Sequence, residues 1–209
     1  MFFDPGTLSP NNCYKLITAT VVPRPIAWLV TADKAGVVNA APFSFFNAFS
    51  AAPPVLALGI APHPTREKDS FANIESRREF VVNLVPFSLA EAMNTTAVDF
   101  PAGESELAVA GLETVASEKV GVPRIAASPV AYECVLDRVV DIKSANRLVL
   151  GKVVAIHVAD AAMINPERCH VDVEALDLIG RSRSPGSYIR TTDAFELPTP
   201  SLEQWRGNR

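Results

Sequence analysis

The sequence predicts a mainly β protein, an antiparallel barrel with peripheral helices, and three observations carry that expectation. Short runs rich in Val, Ile, Leu and Phe recur between clusters of Gly, Pro, Asn and Asp, the pattern of strands joined by turns. Two long, broadly alternating stretches, Pro129 to Ile142 and Leu148 to Val158, flank the segment Lys143 to Arg147, which suits adjacent strands of a barrel wall better than a helical crossover. Helical patterns are few and short. With 209 residues the chain has the length of one domain, taken as 1–209. Such a chain can bury roughly 70% of the surface of its unfolded form without staples.

Asn11 to Ile17 reads as a short helix or turn, with Leu16 and Ile17 packing beneath the sheet. Ile26 to Val30 is a strand, Asp33-Lys34-Ala35-Gly36 supplies a turn, and Val37 and Val38 begin a second arm. That arm is expected to leave the sheet at Asn39-Ala40-Ala41-Pro42, because Pro42 has no amide donor and pushes Ala41 toward extended geometry. The amides of Asn39, Ala40, Ser44 and Phe45 would then be available to a ligand. After Pro53-Pro54, Val55 to Ile60 is a strand apolar on both faces, in which Gly59 marks a bulge or the close approach of another backbone.

Beyond the loop Ala61 to Ser70, an amphipathic helix carries Phe71, Ala72 and Ile74, and Glu79 to Val85 is a strand stopped by Pro86. Ser88 and Glu91 have the spacing of a capping box for a helix through Met93. Ser105 to Gly111 is compatible with a further short helix, Asn165 to Leu176 contains a modest one, and Leu178 to Arg181 leads toward Tyr188. The tail from Leu197 is expected to pack on a surface or on a second subunit.

Composition narrows the function classes. A net charge of −4 with no Lys/Arg block removes the phosphate attraction on which nucleic-acid binding depends. Cys13, Cys134 and Cys169 are odd in number and form no CxxC, so neither a disulfide framework nor a zinc knuckle is indicated and a cytoplasmic location is expected. Met1 to Gly6 has an early acid and no basic region, unlike a signal peptide, and no apolar run approaches the ~20 residues of a membrane span. Gly-x-Gly-x-x-Gly, a Gly-Lys-Ser/Thr loop and Gly-x-Ser-x-Gly are absent, which argues against a dinucleotide fold, a P-loop and a hydrolase elbow. Adjacent Cys169 and His170 would point apart in a strand or a helix, so no metal site is expected.

Binding chemistry concentrates in two stretches. In Phe43-Ser44-Phe45-Phe46-Asn47 small polar groups sit among aromatic rings, a segment able to face a planar, partly polar ligand. Phe43 and Phe49 read as core. In Ala61 to Ser70, the side chains of His63, Thr65, Arg66, Lys68 and Ser70 gather at the start of a helix, with Thr65 or Asp69 as its N-cap. Unpaired N–H groups there, beside Arg66 and Lys68, suit a phosphate monoester. The competing reading is a capped helix with a solvated charged face. His157, within a strand run, reads as a half-exposed barrel residue rather than a general base, and Arg24 is either a ligand contact or an exposed arginine where the first strand begins.

The residues Pro23-Arg24-Pro25-Ile26, Gly36, Asn39, Ala41-Pro42 and Ser44, followed by Pro53-Pro54, Lys68-Asp69-Ser70, Asn73-Ile74 and Phe80 to Asn83, carry a further signal. In this order the set resembles the flavin reductase-like family of FMN-binding split β-barrels, which includes flavoredoxins and the reductase components of two-component monooxygenases. The resemblance is dense from Val21 to Leu84, with weaker echoes at Gly151 and Tyr188. It implies bound FMN, with FAD as an alternative, and NAD(P)H as co-substrate. The phosphate would lie against Thr65, Arg66, Lys68 and Ser70, with Arg24 and His63 nearby. The ring and ribityl chain would meet Asn39, Ala40, Ala41, Pro42, Ser44, Phe45, Phe46 and Asn47, and Arg181 and Tyr188 would approach from the nicotinamide side. Where the family has Gly-Gly ahead of that tyrosine, this chain reads Ser184-Pro185-Gly186-Ser187.

The resemblance further implies a homodimer, a partner oxygenase or other electron acceptor, and little catalytic signature in the side chains, because the cofactor carries the hydride chemistry; no catalytic residue is assigned. The sequence leaves open a flavin reductase, a flavoredoxin-like electron carrier, and a barrel that binds a ligand without redox chemistry.

Overall fold

The computed structural model of the chain describes residues 1–63, 68–100, 105–142 and 146–207. Helix α1 (Pro10–Thr20) leads to β1 (Arg24–Pro25) and the hairpin of β2 (Ala27–Ala32) and β3 (Val38–Phe43). β4 (Phe46–Ala51), β5 (Pro54–Ile60), α2 (Asp69–Arg77) and β6 (Glu79–Asn83) follow, then two short helices, α3 (Ala90–Thr95) and α4 (Glu106–Val109). After β7 (Thr114–Val115) and β8 (Arg124–Ile125) come two strands of 13 residues each, β9 (Val130–Ile142) and β10 (Asn146–Val158). The chain closes with β11 (Met163–Asn165), β12 (His170–Val171), β13 (Ile179–Arg181), β14 (Tyr188–Arg190) and α5 (Leu202–Gly207). Among the described residues, seven strands form one antiparallel sheet in the order β3-β2-β6-β9-β10-β5-β4, and β1-β13-β14 form a second sheet.

The turn between β2 and β3 forms for local reasons. Asp33 exchanges main-chain bonds with Val37 and Gly36, its Oδ1 accepts from the Val37 amide at 2.8 Å, and Gly36 takes φ 91°, a region that favours glycine. The two edge strands β3 and β4 are consecutive in the chain, joined through Ser44 and Phe45, and Gly59 on β5 donates to the Phe45 carbonyl at 2.7 Å. A Cβ on Gly59 would stand 3.0 Å from that of Phe45, so the expected close approach is real.

Alternation along β2 divides its side chains between two apolar layers. Trp28, Val30 and Ala32 join a layer that includes Met93 of α3 and Leu107 of α4, while Ala27 and Leu29 join Phe71 and Ile74 of α2. The buried polar groups of Trp28, Asn83 and Glu133 are paired. Trp28 Nε1 donates to Thr96 Oγ1 at 2.9 Å, and Asn83 bridges the Trp28 carbonyl and the Ile125 amide. Glu133, fully buried on β9, accepts from the amides of Glu118, Lys119 and Val120 and from His157 Nε2 at 2.6 Å. Burial alone would raise its pKa. The Glu118 amide, His157 and the Lys119 amide outweigh that and hold the carboxyl below its ordinary value.

Several expectations need correction. Asn39 to Pro42 do not leave the sheet: β3 stays paired with β2 through Phe43, and Pro42 is tolerated because β3 is an edge strand. Ile17 is half exposed and only Thr18 of α1 is buried, so the helix does not pack beneath the sheet as expected. Phe43 is core, but Phe49 is 68% exposed on edge strand β4. Ser88 lies inside a 3₁₀ turn and caps nothing; Leu89 precedes α3. The modest helix expected within Asn165 to Leu176 is a single 3₁₀ turn, Pro166–Arg168, followed by the short strand β12. No helix among the described residues is long and apolar enough to cross a membrane.

Candidate functional site

Edge strand β3 and the start of α2 meet in one cleft. The alternation that buries Ala40 in the core turns Asn39, Ala41 and Phe43 to the other face, where α2 packs. Helix α2 starts at Asp69, with Lys68 rather than Thr65 or Asp69 in the N-cap position, and Lys68 makes no side-chain cap bond. Its ammonium instead stands 5.5 Å from the centroid of the Phe43 ring. Ser70 Oγ donates to Asn39 Oδ1 at 3.0 Å and so ties the two elements together. The cleft has a volume of about 160 Å³, with Lys68, Asp69 and Ser70 on one side and Asn39, Pro42 and Phe43 on another. His63 also lines it, with Nε2 3.2 Å from Asp99 Oδ2. Thr65 and Arg66, two of the expected phosphate contacts, lie outside the described residues.

A second cleft of about 310 Å³ adjoins the first, sharing Pro42, Phe43 and Ala97 as its wall. Tyr14, Ser44, Arg181 and Tyr188 line it. The Arg181 guanidinium lies 4.6 Å over the Tyr188 ring, donates to the Tyr188 hydroxyl, and reaches the Pro185 carbonyl at 2.7 Å. β13 and β14 therefore deliver a held cation beside Pro42 and Phe43.

The other expected contacts are distributed differently. Arg24 is 5% exposed; its Nη1 donates to the carbonyls of Thr18 at 2.7 Å and Val21 at 2.6 Å, and its Nη2 to that of Ser182 at 2.6 Å. It clamps the end of α1 to the segment after β13 and is not an exposed arginine; burial lowers its pKa, Tyr14 opposes that and Arg181 adds to it. Phe45, Phe46 and Asn47 turn away from the first cleft and, with Arg24 and Ser44, line a separate groove. There Phe45 meets the Tyr14 ring at 6.3 Å, Phe46 packs on the core, and Asn47 Oδ1 accepts from the Ala48 amide.

Glu106, at the start of α4, is a cleft residue that no sequence pattern marks. Its carboxylate accepts from Asn39 Nδ2 at 2.8 Å and lines the first cleft. The only local sign was a short helix start at Ser105; nothing in the pattern linked it to a residue 67 positions away.

This arrangement can hold an elongated anion: a cation and a helix start at one end, main-chain groups of an edge strand along the side, and an aromatic wall. Over 212 residues the chain is 42% identical to an uncharacterized protein of Deinococcus radiodurans, covering 98% of this chain and 92% of that one. It is similar to nitrilotriacetate monooxygenase component B from Bacillus cereus, with 32% identity, a TM-score of 0.87 and coverage of 94% of this chain and 98% of that one. It is also similar to the 2-nitrobenzoate 2-nitroreductase of Pseudomonas fluorescens, with 34% identity, a TM-score of 0.88 and coverage of 97% and 98%. The family described as flavin reductase like domain matches residues 19–170, all of the seven-stranded sheet and all of the first cleft, and the chain belongs to that family.

Proposed function

We propose that the protein binds FMN in the first cleft and acts as an NAD(P)H-dependent flavin reductase. One observation carries this reading: β3 and the start of α2 are joined by the Ser70–Asn39 hydrogen bond into a single wall. The residues fit FMN in kind. The Lys68 ammonium and the positive end of the α2 dipole suit the phosphate. Alternate main-chain groups of edge strand β3 suit the polar rim of a planar ring, and the Phe43 ring supplies an apolar surface.

When bound, the flavin accepts a hydride from the nicotinamide, so the chain's own side chains need only bind, orient and shield. Arg181 in the adjoining cleft offers a fixed cation for an anionic co-substrate such as NADH or NADPH. The similarity to a monooxygenase component B favours a partner oxygenase as consumer of the reduced flavin. The similarity to a nitroreductase favours a second reading, in which an organic oxidant is reduced within the second cleft. A homodimer would cover the exposed Phe49 of β4 and the exposed Ile17 and Val21 at α1.

The test is spectroscopic. Purified protein titrated with FMN or FAD should give saturable quenching of flavin fluorescence, and anaerobic addition of NADH or NADPH should then bleach the flavin absorbance. Absence of any flavin binding removes the proposal. Binding without bleaching by either nucleotide would leave a flavoredoxin-like carrier.

A further inference from the structure

The wall of the first cleft contains a chain of polar side chains whose hydrogen-bond direction is set at one end. A carboxylate only accepts, so Asn39, 2.8 Å from Glu106 Oε1, must present its amide nitrogen there. Its amide oxygen then faces the opposite way, toward Ser70 Oγ at 3.0 Å and Thr31 Oγ1 at 3.4 Å. Thr31 itself accepts from Asn73 Nδ2 at 3.1 Å, which leaves its own proton for Asn39. Thr31, Ser70 and Asn73 are all buried, so water cannot readily take over these bonds. Ser70 thus gives its one proton to Asn39, and what it has left for a ligand are lone pairs.

We infer that Glu106 is a positioning residue for the cofactor cleft: by fixing the Asn39 amide it makes Ser70 an acceptor, suited to a hydroxyl of the ligand's polyol chain and unsuited to its phosphate. The inference rests on the flavin reading of the cleft. Phosphate recognition, among the described residues, then falls to Lys68 and the main chain at the start of α2, in place of the Ser70 side chain suggested by the family resemblance.

Two arms test it. The first needs no flavin: urea unfolding of Asn39→Asp, Glu106→Gln and the double variant. Asn39→Asp sets two carboxylates in contact and should lower the unfolding midpoint; adding Glu106→Gln restores a donor–acceptor pair at the same net charge and should recover most of the loss. Independent, additive losses would overturn the positioning role. The second arm titrates wild type and Ser70→Ala with FMN and riboflavin, which share the polyol. Both should weaken by the same factor, about three- to tenfold, and flavin affinity should fall in Asn39→Asp and return in the double variant. A loss in Ser70→Ala confined to FMN would overturn the acceptor assignment. If wild type binds neither flavin, the reading of the cleft fails, and the unfolding cycle still decides whether Glu106 orients Asn39.

Discussion

Among the carboxylates that accept hydrogen bonds from other parts of the chain, Glu133 and Glu106 do different work. Glu133 is fully buried and meets three amides and His157, so each of its oxygens is saturated by the protein itself. Glu106 lies at the rim of a cleft, holds Asn39 with one oxygen, and sits in a cluster that includes the Lys68 ammonium and the start of α2. A closed cluster stabilises the fold; a cluster with donors facing open space is available to a ligand. The distinction separates a structural cluster from one open to a ligand.

Breaking the closed cluster should have the largest effect. Glu133→Ala strands three amides and His157 and should cost roughly 3–5 kcal/mol in urea unfolding, with flavin affinity of the folded fraction retained. Removing the cation of the open cluster should do the reverse: Lys68→Ala should weaken FMN by about 10- to 100-fold, leave riboflavin nearly unchanged, and barely move the unfolding midpoint. Equal loss for both ligands would place the phosphate elsewhere.

A pH profile sharpens the contrast. Folding holds the Glu133 carboxyl below its ordinary value of 4.5, so the unfolded chain binds that proton more readily. Its contribution is therefore complete above that value and is lost as the pH falls through the folded-state pKa. Glu133→Gln should flatten this acid limb of stability; a limb unchanged from wild type would show that other carboxylates dominate it. The smallest effect belongs to Ser88→Ala, expected within about 0.5 kcal/mol of wild type because the capping box suggested by the sequence does not form.

What could be read in advance depended on how local its cause was. The β2–β3 turn is set by Asp33 and Gly36, and the two 13-residue strands by their own alternation, so both were legible. Gly59 was flagged because a missing side chain in a strand signals close approach. The exposure of Phe49 and Ile17 was not legible, since hydrophobicity does not say which face a partner covers. In the site, the convergence of β3 with the Lys68–Ser70 segment followed from the family resemblance, whereas the inward turn of Arg24 depends on Ser182, 158 positions away. Glu106 was missed for the same reason: a hydrogen bond spanning 67 positions leaves no periodic trace.

The central claim is that the cleft between β3 and α2 grips one phosphorylated flavin by its phosphate. The most direct measurement is a pair of fluorescence titrations of the wild-type protein, one with FMN and one with riboflavin. The account predicts saturable binding of both, with FMN tighter by about tenfold or more. Equal affinity for the two, or no saturable binding of FMN, would contradict it.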